Sequence, residues 1–380
     1  MKELKVKELK KRKEIAELAR PSIFEIKPYV PGKPIEEVQR ELGLTDVVKL
    51  ASNENPLGPA PAAIQALKDH AAGVSFYPDG SCFALKKALA AHLGIDPDYL
   101  IVGNGSDEVI KLLAEAFLSP QDEVIISPPT FGEYAYAAHL MGARVVTVPA
   151  IGFTHDLEAM AGAVTAKTKI IFVCNPNNPT GTYVNRDAVE RFMNRIPEDV
   201  LVVFDEAYYE YVEAGDFPRT LEYVKQGRNV LVLRTFSKIY GLAGLRVGYG
   251  IGRSELVQLV ARVREPFNVN LLAQQAAIAA LGDAKHISRS REVNHSGKSF
   301  LNQRLSAMGF APLPSQTNFL FVDLRTDAQQ LFKAMLKLGV IVRSGDIFGE
   351  PTFIRVTIGA QAQNERFIHA LAACLGKESR

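Results

Sequence analysis

Four apolar stretches end in residues that could do chemistry. Val200-Leu-Val-Val-Phe204 runs into Asp205-Glu206-Ala207-Tyr208, and Val230-Leu-Val-Leu233 runs through Arg234 into Thr235-Phe236-Ser237-Lys238 and then Gly244-Leu-Arg246. Ile170-Ile-Phe-Val-Cys174 runs into Asn175-Pro-Asn-Asn-Pro-Thr-Gly181, and Leu100-Ile-Val102 into Gly103-Asn-Gly-Ser-Asp107, which opens a helix. A lysine amine can form a Schiff base with an aldehyde. A carboxylate beside a pyridine nitrogen keeps it protonated, so that the ring accepts electrons from a carbanion. The helix start at Gly103 to Asp107 offers backbone N–H groups and a positive dipole end to a phosphate. Ser and Thr hydroxyls and one arginine would complete that cup.

Each piece alone also has a structural reading. Asp205 could cap a helix, the Gly103 segment could be a capped helix start, and Asn175 to Gly181 could be a rigid turn. What argues for a site is their order, each one placed where a strand ends. In an open parallel sheet, ligands sit beyond the carboxyl ends of the strands.

The elements that must position these residues follow from hydrophobic pattern. The runs Glu123–Ser127, Arg144–Val148, Lys169–Cys174, Val200–Phe204 and Asn229–Leu233 are nearly continuous in apolar residues, which suits strands buried on both faces of a mainly parallel sheet. Helical spacing over Ser106–Leu118 and Asn185–Arg195 separates strands, giving an α/β layered domain. Leu271–Leu281 reads as a helix leading out of it, toward a smaller α+β region with strands Asn318–Val322 and Phe353–Thr357. The expected division is residues 1–52 as an N-terminal arm and part of the small domain, 53–285 as the large domain, and 286–380 as the small one.

Composition narrows the class. The 380 residues carry a formal net charge of +2, too small for a nucleic-acid footprint, and no apolar run is long enough to span a membrane. Three dispersed cysteines and scattered histidines argue against a disulfide framework or a metal site and fit a cytoplasmic protein without a secretory signal. Met1 to Arg20, with eight Lys/Arg and four Glu, reads as a solvated helix or arm.

The set Asn178-Pro-Thr-Gly181, Asp205-x-x-Tyr208, Ser237-Lys238 and Gly244-Leu-Arg246 resembles the fold-type I pyridoxal-phosphate aminotransferases, over nearly the whole chain. The resemblance implies that Lys238 carries pyridoxal 5'-phosphate, that Asp205 pairs with its ring nitrogen, and that Tyr208 and Asn178 bond its phenolic oxygen. It implies that Gly105, Ser106, Asp107, Thr235, Ser237 and Arg246 surround the phosphate and that Phe131 stacks on the ring, although Phe131 could also be a core aromatic. It implies a homodimer with shared sites, Tyr77 reaching the partner's phosphate.

Pro28–Pro34, Leu50-Ala-Ser-Asn-Glu-Asn-Pro-Leu-Gly58 and Pro266–Asn270 are similar to segments of the histidinol-phosphate aminotransferases within that family. This likeness implies transamination between L-histidinol phosphate and 2-oxoglutarate in histidine biosynthesis, with Arg343 and Arg355 binding substrate anions. Arg355 lies mid-strand in an apolar run, where a guanidinium needs either a bound anion or an internal carboxylate. Tyr29 would lie near the substrate, or serve packing alone. An aromatic amino-acid aminotransferase and a threonine-phosphate decarboxylase share these motifs and remain open alternatives.

Overall fold

The computed structural model of the protein describes residues 17–26 and 32–377. Twelve strands occur among the described residues: β1 (Val48–Lys49), β2 (Leu100–Gly103), β3 (Glu123–Ile126), β4 (Arg144–Thr147), β5 (Thr168–Cys174), β6 (Leu201–Asp205), β7 (Val230–Thr235), β8 (Gly248–Gly252), β9 (Phe319–Asp323), β10 (Val340–Ile341), β11 (Arg343–Ser344) and β12 (Phe353–Thr357). Seven form one sheet in the order β2-β8-β7-β6-β5-β3-β4. β8 alone runs against the direction of the other six.

The continuous apolar runs bury both sheet faces, as expected. On one face Ile125, Ile171, Val173, Val202, Phe204, Val230 and Val232 join a core cluster, and on the other Val124, Phe172, Leu201, Val203, Leu231 and Leu233 join a second. Side-chain alternation along a strand divides the residues between the two. The fold is therefore α/β, with a mainly parallel sheet between helical layers.

Two expectations need correction. Arg144–Thr147 is an edge strand, with Arg144 and Thr147 exposed and both valines half-buried, whereas β2, at the other edge of the sheet, stays buried. The helix Leu271–Leu281 does not lead outward. Its Ala273, Ala276, Ala277 and Ala280, spaced i, i+3, i+4 and i+7, lie in the first cluster against the helices Pro61–His70 and Phe83–Leu93. Small side chains on one stripe let helices approach closely, and here they do so inside the large layer.

Within the large sheet, one strand escaped the sequence reading. In β8, Gly-Tyr-Gly-Ile-Gly, a Cβ on Gly248 would stand 2.4 Å from the Ser106 nitrogen, and one on Gly250 3.1 Å from Val109. The glycines admit the helix Ser106–Phe117 to the sheet, and their low strand propensity hides the strand.

A third cluster joins Leu50 to Leu301, Leu320, Val322, Val340, Ile354, Val356 and Phe367. Around it β11-β12-β9 form an antiparallel sheet, and β1 pairs with β10. The segment after β1 crosses to the ends of the large sheet, so N- and C-terminal parts meet there. Among the described residues no helix is long and apolar enough to cross a membrane.

Candidate active site

The carboxyl ends of β5, β6 and β7, the start of the helix Ser106–Phe117 and the turn after β1 enclose a cavity of about 250 Å³. Lys238, Asp205, Tyr208, Asn178, Ser106, Asp107, Phe131, Thr235, Ser237 and Arg246 all line it. Sequence positions from 106 to 246 thus converge on one space.

Lys238 is half-buried, and its Nζ donates to the Ser52 carbonyl at 3.3 Å. Burial, with Arg355 nearby, pulls the amine down to about 8. Asp205 is 3% exposed. Tyr134 Oη donates to its Oδ2 at 2.7 Å and the Ala207 N–H to its Oδ1 at 3.1 Å. Burial nevertheless pushes the carboxyl up to about 6, while these two bonds act in the opposite direction. A buried acid held by neutral donors is matched to a cationic N–H ligand, and a protonated pyridine supplies one.

Tyr208 is buried, edge-on to Phe319 with ring centroids 5.2 Å apart, and its oxygen accepts from Asn53 Nδ2 at 2.9 Å. With that lone pair engaged, the phenolic proton can be donated. Asn53 is fixed in turn by Asn318, which donates to its carbonyl, and by the Thr357 hydroxyl, which accepts from its N–H. Asn178 accepts from Arg355 Nη1 at 2.5 Å, and Arg355 Nη2 donates to the Ala51 carbonyl at 2.7 Å. The rigid-turn reading of this loop also holds: Asn175 braces Val184, and Asn177 braces Pro129 and Thr180.

The anion end is built around Arg246. Its Nη2 donates to Asp107 Oδ2 at 3.1 Å, and its Nη1 donates to the Ala243 carbonyl at 3.1 Å and to Ser237 Oγ at 3.5 Å. Gly105 has φ +80°, and a Cβ there would stand 2.7 Å from Arg246 Nη2. Only glycine leaves this cradle open. Thr235 Oγ1 accepts from the Ser237 N–H at 3.0 Å. Hydroxyls, helix-start N–H groups and a guanidinium fit a phosphate monoester.

Three expected residues stand apart. Tyr77 is 83% exposed, stacked on Phe267 at 4.7 Å, and does not line its own chain's cavity. Arg343 pairs directly with Arg355 across β11 and β12 without lining the cavity itself. Tyr29 lies outside the described residues. Residues not singled out from sequence are Tyr134, Ser52, Asn53, Glu54 and Cys174. Tyr134 follows Phe131 by three positions, which puts both on one side of a helix start, a signal that was available. Among the described residues, no group of three His, Cys, Asp or Glu could hold a metal ion.

The family described as aminotransferase class I and II matches residues 45–371, a span containing every cavity-lining residue. The chain is 57% identical over 357 residues to a histidinol-phosphate aminotransferase of Moorella thermoacetica, covering 94% of this chain and 92% of that one. It is 47% identical to one from a Geobacillus species, covering 92% and 95%. The crystal structure of histidinol-phosphate aminotransferase from Sinorhizobium meliloti in complex with pyridoxal-5'-phosphate superposes with a TM-score of 0.87 at 29% identity, over 94% of this chain and 98% of that one. Cavity chemistry, topology and sequence agree, and the chain belongs to the class I and II aminotransferases.

Proposed function

We propose that the protein exchanges an amino group between L-histidinol phosphate and 2-oxoglutarate, with pyridoxal 5'-phosphate bound in the 250 Å³ cavity. The observation that carries this reading is the opposition, in one cavity, of a lysine of lowered pKa and a buried carboxylate met by neutral donors. The identity to relatives named histidinol-phosphate aminotransferases supports the choice of substrate.

In this reading Lys238 attaches the cofactor, Asp205 faces its ring nitrogen, Tyr208 and Asn178 face its phenolic oxygen, and Phe131 covers the ring. Gly105, Ser106, Asp107, Thr235, Ser237 and Arg246 hold its phosphate. When bound, the cofactor supplies an electron sink that lets a substrate C–H bond break heterolytically. The pKa of about 8 leaves part of the Lys238 amine neutral at neutral pH, so its Nζ can take the proton from the substrate Cα and later return one. Asp205 keeps its charge above about pH 6 and so holds a proton on the ring nitrogen. Two half-reactions in one cavity give ping-pong kinetics.

Arg343 and Arg355 receive the substrate anions. They stand opposite each other on neighbouring strands, and two guanidinium forks side by side suit a carboxylate or a phosphate. Tyr29 lies near the substrate in the same reading. The protein acts as a cytoplasmic homodimer, with Tyr77 reaching the partner's phosphate site. Its exposure beside the exposed Phe76 and Phe267 supports a covered surface there.

The test is single-turnover conversion of the cofactor-loaded protein by L-histidinol phosphate and, separately, by L-phenylalanine, followed by cofactor absorbance. Much faster conversion by histidinol phosphate is expected. Preference for phenylalanine would make the protein an aromatic aminotransferase, and no cofactor absorbance would overturn the reading altogether.

A further inference from the structure

We propose that Tyr134 is a positioning residue for the reaction: its hydroxyl holds the Asp205 carboxylate in the orientation and the ionised form that a protonated ring nitrogen requires. The inference rests on the function proposed above.

Packing alone does not account for a tyrosine here. Tyr134 is fully buried, stacked on Phe172 with centroids 4.5 Å apart and edge-on to Phe131 at 5.6 Å. A phenylalanine would fill the same space without taking a hydroxyl out of water, a cost that only a hydrogen bond offsets. The bond it makes is to Asp205 Oδ2, at 2.7 Å. The Ala207 N–H occupies Oδ1, so each carboxylate oxygen carries one donor and the carboxylate plane is set from both ends.

The kind of donor matters as much as its place. A lysine or a protonated histidine at this position would neutralise Asp205 and compete with a cationic ligand. A phenol orients the carboxylate while leaving its charge intact. Burial raises the Tyr134 pKa well above its ordinary value, so the hydroxyl remains a donor throughout the working range. The surroundings of Asp205 otherwise favour its neutral form: burial comes first, and Asp107 and Glu206 add negative charge nearby. Cys174, its partner across β5 and β6, and Tyr208 are both buried and held protonated. Tyr134 is the side chain that opposes this tendency most directly.

The position of Tyr134 follows from the helix Glu133–Met141. Phe131 stands at the cavity wall just before it, and Tyr134, one turn on, stands behind that wall beside Asp205. A single helix start would thus serve the flat face of the cofactor with one aromatic and the acid that meets its ring nitrogen with another.

The experiment is Tyr134→Phe in the cofactor-loaded protein, read by pH titration of the cofactor absorbance together with steady-state kinetics. A ring nitrogen less fully protonated withdraws less charge, so the chromophore holds its titrating proton more tightly. The expected result is a midpoint raised by roughly half a unit or more. With it, kcat falls about tenfold while KM stays nearly constant, the size expected for one hydrogen bond to a charged group. An unmoved midpoint with unchanged kcat overturns the proposal and leaves Tyr134 as packing. If the phenylalanine variant fails to fold, 3-fluorotyrosine at position 134, a stronger donor of nearly the same shape, must move the midpoint the other way. No movement there overturns the proposal too. Wild-type protein that never acquires cofactor absorbance would instead overturn the function itself, so the two failures are distinguishable.

Discussion

Asp205 and Glu206 are adjacent acids, 3% and 1% exposed, yet the two sides of the strand end they serve are built differently. Glu206 Oε2 accepts from Arg234 Nε at 3.0 Å and Nη2 at 2.8 Å, and Thr220 donates its hydroxyl to Oε1. The Arg234 guanidinium lies over the Tyr209 ring, 3.5 Å from its centroid. On that side the charges are matched within the chain. Asp205, on the cavity side, is met by a phenol and a peptide N–H, neither of which cancels its charge. An acid matched internally is part of the framework, whereas an acid held by neutral donors is prepared for a cation from outside.

The largest effect should come from the cavity side. Lys238→Ala is expected to lower turnover by at least about a thousandfold while the protein stays folded, measured by kcat and circular dichroism. Near-wild-type turnover without added amine would remove Lys238 from the chemistry.

On the framework side the loss should be in stability. Arg234→Met leaves Glu206 buried without its cation and should cost about 3–5 kcal/mol in denaturant unfolding. The double variant Arg234→Met, Glu206→Leu should recover most of it, because two apolar side chains then replace a buried pair. A loss below about 1 kcal/mol for the single variant would erase the proposed distinction between the two acids.

Asp205→Asn should act in the opposite sense on the cofactor-free protein. The folded carboxyl titrates at about 6 against an ordinary 3.8, so its ionisation opposes folding. That penalty is absent below about pH 4, grows as pH rises through the interval, and is complete above about pH 6. The variant should therefore be more stable than wild type at pH 7.5, by at most about 3 kcal/mol, and no more stable at pH 4. Thermal melts at the two pH values check this, and equal melting at pH 7.5 would contradict it.

The smallest effect concerns the second buried arginine. Arg355 donates to an amide oxygen and a carbonyl oxygen, which fix its plane beside the cavity. Arg355→Lys should raise KM for the amino donor about tenfold and leave the cofactor absorbance in place, since a lysine cannot reproduce the planar fork. A shifted absorbance with unchanged KM would move Arg355 from the substrate side to the cofactor side.

Much of the site was legible because its residues sit where strands stop. Lys238, Asp205, Asn178 and the Gly105 turn each follow an apolar run, and such runs are local features. The misjudged elements were those whose meaning depends on neighbours. The valines of Arg144–Thr147 look like a central strand until it is known that, among the described residues, no strand lies beyond them in the sheet. The alanines of Leu271–Leu281 look like a generic helix until the two helices they pack against are in place.

The linear chain by itself determined the alternation of strands and helices, the glycine at 105 and the chemistry at each strand end, because apolar runs and turn residues act over a few positions. Tertiary structure alone decided which groups hold which. Tyr134 meets Asp205 across 71 residues and Asn53 meets Tyr208 across 155. It also decided that Glu206 is matched while its neighbour is not. Hydrogen bonds and desolvation depend on distances in space, and a chain of this length can bring any two of its residues within reach.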